Sequence, residues 1–256
     1  MAKPLSRRDR LRSATVHEIK DTARSILVEH GPTGLTLRAI AREMGMSAPA
    51  LYRYFPSREE LLEDLIRDLY DEVSDVMEKA RDALPDDDVA GRLLTVSRAF
   101  RDWAVSHRAE FALLFGSPIE GVQRTPLAGS PDQTDAVGAF ETAADGPKQR
   151  FGAVFAGLIA QLYLTRPFPI PGDAEIEPRL RSQLNEWCKK FPVPMPDGVT
   201  QIFLSCWIRL YGIVSMEVFG HLGFALYDVE PMFEAEMREL SEMLCIADDY
   251  RPPPSG

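Results

Sequence analysis

Residues 36–58 read TLRAIAREMGMSAPALYRYFPSR, and this stretch specifies two short helices joined by a turn. Thr36 can cap the first helix, and Leu37, Ile40, Ala41 and Met44 then recur at the three- and four-residue spacing of one buried face. Gly45 accepts the left-handed backbone needed just past a helix end. Ser47 is a good N-cap for the next helix, and Pro49 falls in its first turn, where a missing N–H leaves nothing unpaired. Leu51 and Phe55, four apart, point to the core. Ala48, Pro49, Tyr52, Arg53 and Tyr54 are left on outward or rim positions, the layout of a helix-turn-helix whose second helix enters a DNA groove.

The segment LYRYFPSREEL, residues 51–61, resembles the LYxHFxxKxxL signature that closes the DNA-binding domain of TetR-type transcriptional regulators. Tyr54 stands where that family usually has His, and Arg58 where it usually has Lys; both replacements can still hydrogen-bond a phosphate. The resemblance implies Thr36, Ser47, Arg53, Tyr54 and Arg58 as phosphate-side residues, with Ala48, Pro49 and Tyr52 nearest the base edges. The alternative for Tyr52 and Tyr54 is that they only pack on the small bundle. Ala48 and Pro49 carry no hydrogen-bonding group, so they read thymine methyls or shape, and Arg38 is the candidate for a direct base contact. Residues 98–121 and 207–222 resemble segments of the subgroup whose C-terminal part is called the WHG domain, with Tyr211 where that name's His would stand.

The charge distribution agrees. The net charge of the 256 residues is −10, yet residues 1–56 hold ten Lys and Arg against five Asp and Glu, leaving 19 against 34 in the remainder. A head of +5 on a body of −15 suits a chain with one end on DNA and the other held off it. Cys188, Cys206 and Cys245 are odd in number and far apart, which suggests neither a disulfide framework nor a metal site and points to a reducing cytoplasm. The basic N-terminus has no apolar run behind it, unlike a secretory signal. The uncharged stretch 151–165 is too short for a bilayer at ~1.5 Å per residue and reads as a buried helix.

In chain order, residues 1–12 read as a flexible basic arm, either merely solvated or reaching toward the minor groove or adjacent phosphates. A first helix over residues 13–30 stops at Gly31-Pro32. With the two helices above it completes a DNA-binding domain over residues 1–56. From residue 57 a second, helical domain extends to the end. Ser57 and Glu60 form a capping box for a long helix over 57–84, about 40 Å at ~1.5 Å per residue, a physical lever between the domains. Helices follow over 89–107, around 111–115, over 151–165 and, within the irregular stretch 166–197, over 176–191. Residues 119–147 read as a long loop. Residues 199–222 are apolar nearly all round, so that helix must be covered on two sides. The last helix, 231–246, has a narrow apolar seam. No strand pattern occurs, and the fold class is all-α.

Paired across a two-fold axis, the last two helices form a four-helix homodimer interface through Ile208, Met216, Phe219, Phe233, Met237, Leu240 and Leu244. Phe100, Trp103, Phe111, Phe115, Phe155, Ile159, Tyr163, Trp207 and Tyr211 line an apolar ligand pocket or simply fill the core. Arg209 and Glu217, in the most apolar helix, pair with neighbours or across the dimer. His107 and His221 stand alone, and no metal or cofactor is expected. The motifs of hydrolases, metalloproteases and nucleotide-binding enzymes are lacking. The expected protein is therefore a homodimeric regulator on a palindromic operator, most simply a repressor released by a hydrophobic small molecule. The competing readings are a dimeric DNA-binding regulator that senses nothing and an all-α enzyme.

Overall fold

The computed structural model describes residues 6–116, 145–188 and 195–252, and in them finds helices and no strand. The helices are α1 (Arg7–Gly34), α2 (Leu37–Glu43), α3 (Ala48–Tyr52), α4 (Arg58–Asp82), α5 (Val89–Ser106), α6 (Arg108–Phe115), α7 (Asp145–Thr165), α8 (Pro178–Cys188), α9 (Asp197–Val218) and α10 (Glu230–Met243), followed by a 3-10 turn at Ala247–Asp249. The chain forms two compact units. Of the described residues, one comprises those up to Asp71 with residues 109–116 and the start of α7 to Lys148; the other runs over Glu72–Arg108 and from Gln149 onward. The first unit therefore takes in more than the residues before 57, because the start of α4 and all of α6 after Arg108 group with the head.

In the first unit Ile19, Ala23 and Leu27 of α1 are buried, as are Leu35, Leu37, Ile40, Leu51, Leu61 and Leu62. Helix α1 starts earlier than expected. Ser6 caps it through a reciprocal box with Asp9, the Ser6 Oγ accepting from the Asp9 N–H at 3.2 Å and the Asp9 carboxylate accepting from the Ser6 N–H at 3.3 Å. Residues 7–12 are thus helical, and only residues 1–5 of the expected arm lie outside the described residues. At the other end Gly31 breaks the helix with φ 68°, and Pro32 opens a last short turn. Two cations of α1, one turn apart, tie the unit together. Lys20 pairs with Asp64, at 3.3 Å, and with Asp68 on α4. Arg24 donates to the buried Glu110 of α6 at 2.8 Å. On α6 Phe111 packs against Phe115 at 4.9 Å, and Phe115 meets Tyr70 edge-on.

Half of the expected capping box at the start of α4 is present, the Ser57 Oγ accepting from the Glu60 N–H at 3.1 Å. The helix crosses from one unit into the other without a break and ends at Asp82, two residues short of the expected limit.

The second unit is built on four rings in mutual contact, Phe100 of α5, Phe151 and Phe155 of α7, and Trp207 of α9, with centroids 5.6–6.3 Å apart. Burying four such side chains, each ~150–250 Å² of surface, dominates the energetics of the unit. Two bidentate ion pairs brace α5. Arg101 holds Glu217 of α9 through two bonds of 2.7 Å, and Arg98 holds Glu234 of α10 through two bonds of 2.8 Å. Arg209 pairs with Glu236 at 2.9 Å and with Glu239. The charges of α9 are thus answered within the chain. By length and hydropathy alone α9 resembles a membrane span.

Boundaries moved where turn geometry decides them. Helix α7 begins at Asp145, taking in residues assigned to the loop 119–147; residues 117–144 lie outside the described residues. Only Pro178–Cys188 of the helix expected over 176–191 is described as such, and 189–194 lie outside. Helix α9 ends at Val218 because Gly220, φ 71°, turns the chain, the His221 N–H donating to Met216 O at 2.8 Å.

Candidate nucleic-acid interface

The turn between α2 and α3 is closed by a complete C-terminal cap. Met46 N–H donates to Ala41 O at 2.8 Å and Gly45 N–H to Arg42 O at 3.2 Å, with Gly45 at φ 63°. Thr36 caps α2, its Oγ1 accepting from the Ala39 N–H at 3.1 Å. Ser47 occupies the N-cap position of α3, but its side chain makes no cap bond. The hydroxyl is exposed and left for another acceptor or donor.

The helix-turn-helix presents one continuous exposed face. Pro49, Tyr52 and Arg53 are exposed, Ala48 is half-buried beside them, and Leu51 and Phe55 face inward as expected. Arg38 is exposed as well. Neither the Arg38 nor the Arg53 guanidinium has a partner among the described residues, so both cations remain available to an anion. Tyr54 is half-buried, and the Arg12 guanidinium lies over its ring at 5.2 Å.

Arg58 is different. Its Nε donates to Leu35 O at 2.7 Å and its Nη2 to Pro32 O at 2.8 Å. These carbonyls belong to the end of α1, where the backbone has no helical partner. The position that the signature suggested for a phosphate contact is therefore occupied by a cation that closes the loop between α1 and α2.

In the second unit Leu93, Leu94 and Ser97 of α5, Phe155 and Ile159 of α7, Phe203, Cys206, Trp207 and Leu210 of α9, and Met237, Leu240, Ser241, Leu244 and Ile246 at the end of the chain enclose a cavity of about 40 Å³. Among the described residues no charged side chain lines it. Ser97 and Ser241 donate to Leu93 O and Met237 O of their own helices, at 2.9 and 2.7 Å, so each hydroxyl keeps only acceptor capacity. Burial pushes the Cys206 thiol up to about 12, which keeps it neutral.

Of the residues expected to line a pocket, the structure brings Phe155, Ile159 and Trp207 to this cavity. Phe100 is shut in the ring cluster, and Trp103 packs under His107 at 5.3 Å with its indole N–H on Glu72 at 2.9 Å. Tyr163 meets Phe168 and Tyr211 stacks on Trp207 at 5.6 Å. Phe111 and Phe115 belong to the first unit. Sequence reasoning did not assign the other lining residues to a pocket: Leu93, Leu94, Phe203, Leu210 and Ile246 read only as apolar helix positions, and Ser97, Cys206 and Ser241 are small and give no signal of a cavity.

The expected dimer residues also divide. Ile208, Met216 and Phe219 are 67%, 40% and 39% exposed, whereas Phe233, Met237, Leu240 and Leu244 are buried in their own domain. The seam of α10 is its only apolar face, and the protomer's own core uses it, leaving Arg238, Glu239 and Glu242 outward. Phe224, Tyr227 and Met232, in and after the turn that follows α9, are exposed too.

Residues 19–65 match the sequence profile of bacterial regulatory proteins of the tetR family, and residues 93–240 that of the tetracyclin repressor-like C-terminal domain. The chain belongs to the TetR family. It is 35% identical to the HTH-type transcriptional regulator Rv1816 of Mycobacterium tuberculosis over 228 residues, 89% of this chain and 91% of the relative. Among solved structures it resembles the regulatory protein SCO4313, with 30% identity, 92% of this chain and 98% of the other covered, and a TM-score of 0.66. RolR, solved with resorcinol bound, shares the fold at 15% identity and a TM-score of 0.52, with 96% and 100% covered. This chain is therefore a TetR-type transcriptional regulator, with α2 and α3 inside the matched N-terminal profile.

Proposed function

We propose that this TetR-family regulator is a homodimeric repressor, acting in the cytoplasm on a roughly palindromic operator and released from it by an uncharged hydrophobic small molecule. The observation that carries the sensor reading is the charge-free cavity between α5, α7, α9 and α10. RolR's complex with a small aromatic lends support. A drug-sized ligand needs roughly 300–1,000 Å³, so an effector must part the helices that enclose a cavity of about 40 Å³. That parting is what gives the ligand a different affinity for two states of the protein, and this difference sets how far DNA binding falls. Helix α4 runs from the head into the sensing unit, and its displacement would change the spacing of the two recognition helices from the roughly 34–36 Å that successive major-groove faces require.

On the DNA side, Thr36, Ser47, Arg53 and Tyr54 hold phosphates while Ala48, Pro49 and Tyr52 lie nearest the bases and Arg38 supplies a direct contact. The dimer face is the outer side of α9 with the following turn, centred on Ile208, Met216 and Phe219.

A thermal-shift screen of uncharged aromatic and aliphatic compounds, followed by operator release, tests the sensor reading. A compound that raises the melting temperature and frees the DNA supports it. Tight DNA binding indifferent to every compound establishes instead a dimer that senses nothing.

A further inference from the structure

Arg12 is one of four arginines in the first two turns of α1, and the N-terminal cap of Ser6 and Asp9 keeps those turns helical. Arg12 is exposed, but its guanidinium has neighbours on the recognition-helix side. The guanidinium carbon lies 5.2 Å from the centroid of the Tyr54 ring, within the range of a cation–π contact, and Nη2 reaches 3.5 Å from the carbonyl of Arg53, the C-cap of the recognition helix. Tyr54 follows that cap directly. Its own N–H donates to Leu51 O at 2.8 Å, which fixes the backbone but not the ring. The Tyr54 hydroxyl has no partner among the described residues. One face of the ring is thus held by a cation from another helix, and its polar tip is left over.

We propose that Arg12 is a positioning residue for DNA binding: it acts through Tyr54, holding the ring so that the hydroxyl meets a backbone phosphate, and does not itself bind DNA. The proposal rests on the reading of α2 and α3 as the DNA-binding face. Its physical content is pre-organisation. A phenol free to rotate must be ordered when DNA arrives, whereas a ring already clamped presents its donor without that cost. Contact with the ring also accounts for a cation at residue 12 that a mere count of phosphate-binding arginines would assign to the DNA.

The test uses the full-length protein and a duplex that the wild-type protein has selected from a random-sequence pool. Affinity is measured against salt concentration for wild type, Arg12→Ala, Tyr54→Phe and the double variant, with melting temperatures to show that all four fold alike. Tyr54→Phe keeps the ring and removes the hydroxyl. The expected result is that Arg12→Ala weakens binding roughly three- to tenfold, by less than about twofold in the Tyr54→Phe background, with the salt slope unchanged. A slope lowered by about 1 identifies Arg12 as a direct phosphate ligand and overturns the proposal. An equal loss in both backgrounds, or no loss in either, also overturns it. Failure of the wild-type protein to select any duplex is a separate result, and it sinks the DNA-binding reading itself.

Discussion

The Arg58 guanidinium donates to the carbonyl of Leu35 at 2.7 Å, so a cation that looks available for DNA is committed to the loop that joins α1 to α2. With its second bond to Pro32 O, it satisfies two carbonyls beside a fully buried leucine. Arg58→Ala should therefore destabilise the head by about 1.5–3 kcal/mol, the range for hydrogen bonds from a charged donor. Lys cannot reproduce the forked geometry and should rescue less than half of the loss. Chemical denaturation checks this. An unchanged midpoint with a lowered salt slope for DNA would return Arg58 to the phosphates.

Arg53 behaves oppositely. It is exposed and its guanidinium has no partner among the described residues. Arg53→Ala should leave the melting temperature alone, weaken all DNA sequences about equally and take about 1 from the salt slope. An effect confined to one operator would make it a base-reading residue.

The two sets of apolar residues at the C-terminal end make separable predictions. Ile208→Asp or Phe219→Asp should yield a folded monomer in sedimentation, since those side chains are exposed in the protomer. Phe233→Ala should cost about 3–5 kcal/mol and Met237→Ala about 2–5 kcal/mol of stability, because both leave cavities in a packed core. Dissociation without destabilisation from the second pair would contradict this division.

Stability in acid should depend on Glu234. Burial alone would raise its pKa, but hydrogen bonds from Arg98 and Tyr250, with the charge of Arg98 behind them, hold it below its ordinary value of 4.5. A depressed carboxylate contributes stability that is fully present above the unfolded pKa and is lost as pH falls through the folded one. Glu234→Gln should therefore lower the melting temperature at pH 7 and bring the two proteins' curves together as pH falls below 4.5 and through the depressed folded-state value. Parallel curves across that range would show that the pair contributes no pH dependence.

Filling the cavity should separate sensing from stability. Ser97→Val adds apolar volume to the wall, and the Leu93 carbonyl that loses the hydroxyl lies within α5, where the helix's own N–H still serves it. The substitution should raise stability by about 0.5–2 kcal/mol and blunt the response to any effector while leaving DNA affinity intact. An effector response undiminished in that variant would place the ligand elsewhere.

Much of the head was legible because its signals are local. Thr36, Gly45 and Ser47 each need only their own neighbours to mark a helix end, and Leu51 and Phe55 announce a face by spacing alone. The bonds of Arg58 were not legible, because nothing in a sequence tells whether a guanidinium meets a phosphate or a carbonyl 23 residues away. The dimer seam was misread for a related reason. Phe233, Met237, Leu240 and Leu244 form a stripe that two surfaces could equally bury, and only packing reveals that the protomer takes it first. The cavity was half legible: part of its apolar wall shows in the four-residue spacing of Phe155 and Ile159 and in Trp207 on the apolar α9, but a void is the absence of atoms and depends on which of Phe100, Trp103 or Tyr211 turns away. The start of α1 was missed because Ser6 and Asp9 were read as members of a charged tail and not as a reciprocal cap.

The central claim is that two copies, joined through the outer face of α9, act on one operator. Sedimentation of the full-length protein with a selected duplex, at concentrations just above the dissociation constant, measures the number of chains per DNA. The account predicts two chains per duplex for wild type and a loss of tight binding in Ile208→Asp, whose head remains folded. One chain bound per duplex at full affinity, or undiminished binding by the folded monomeric variant, would contradict it.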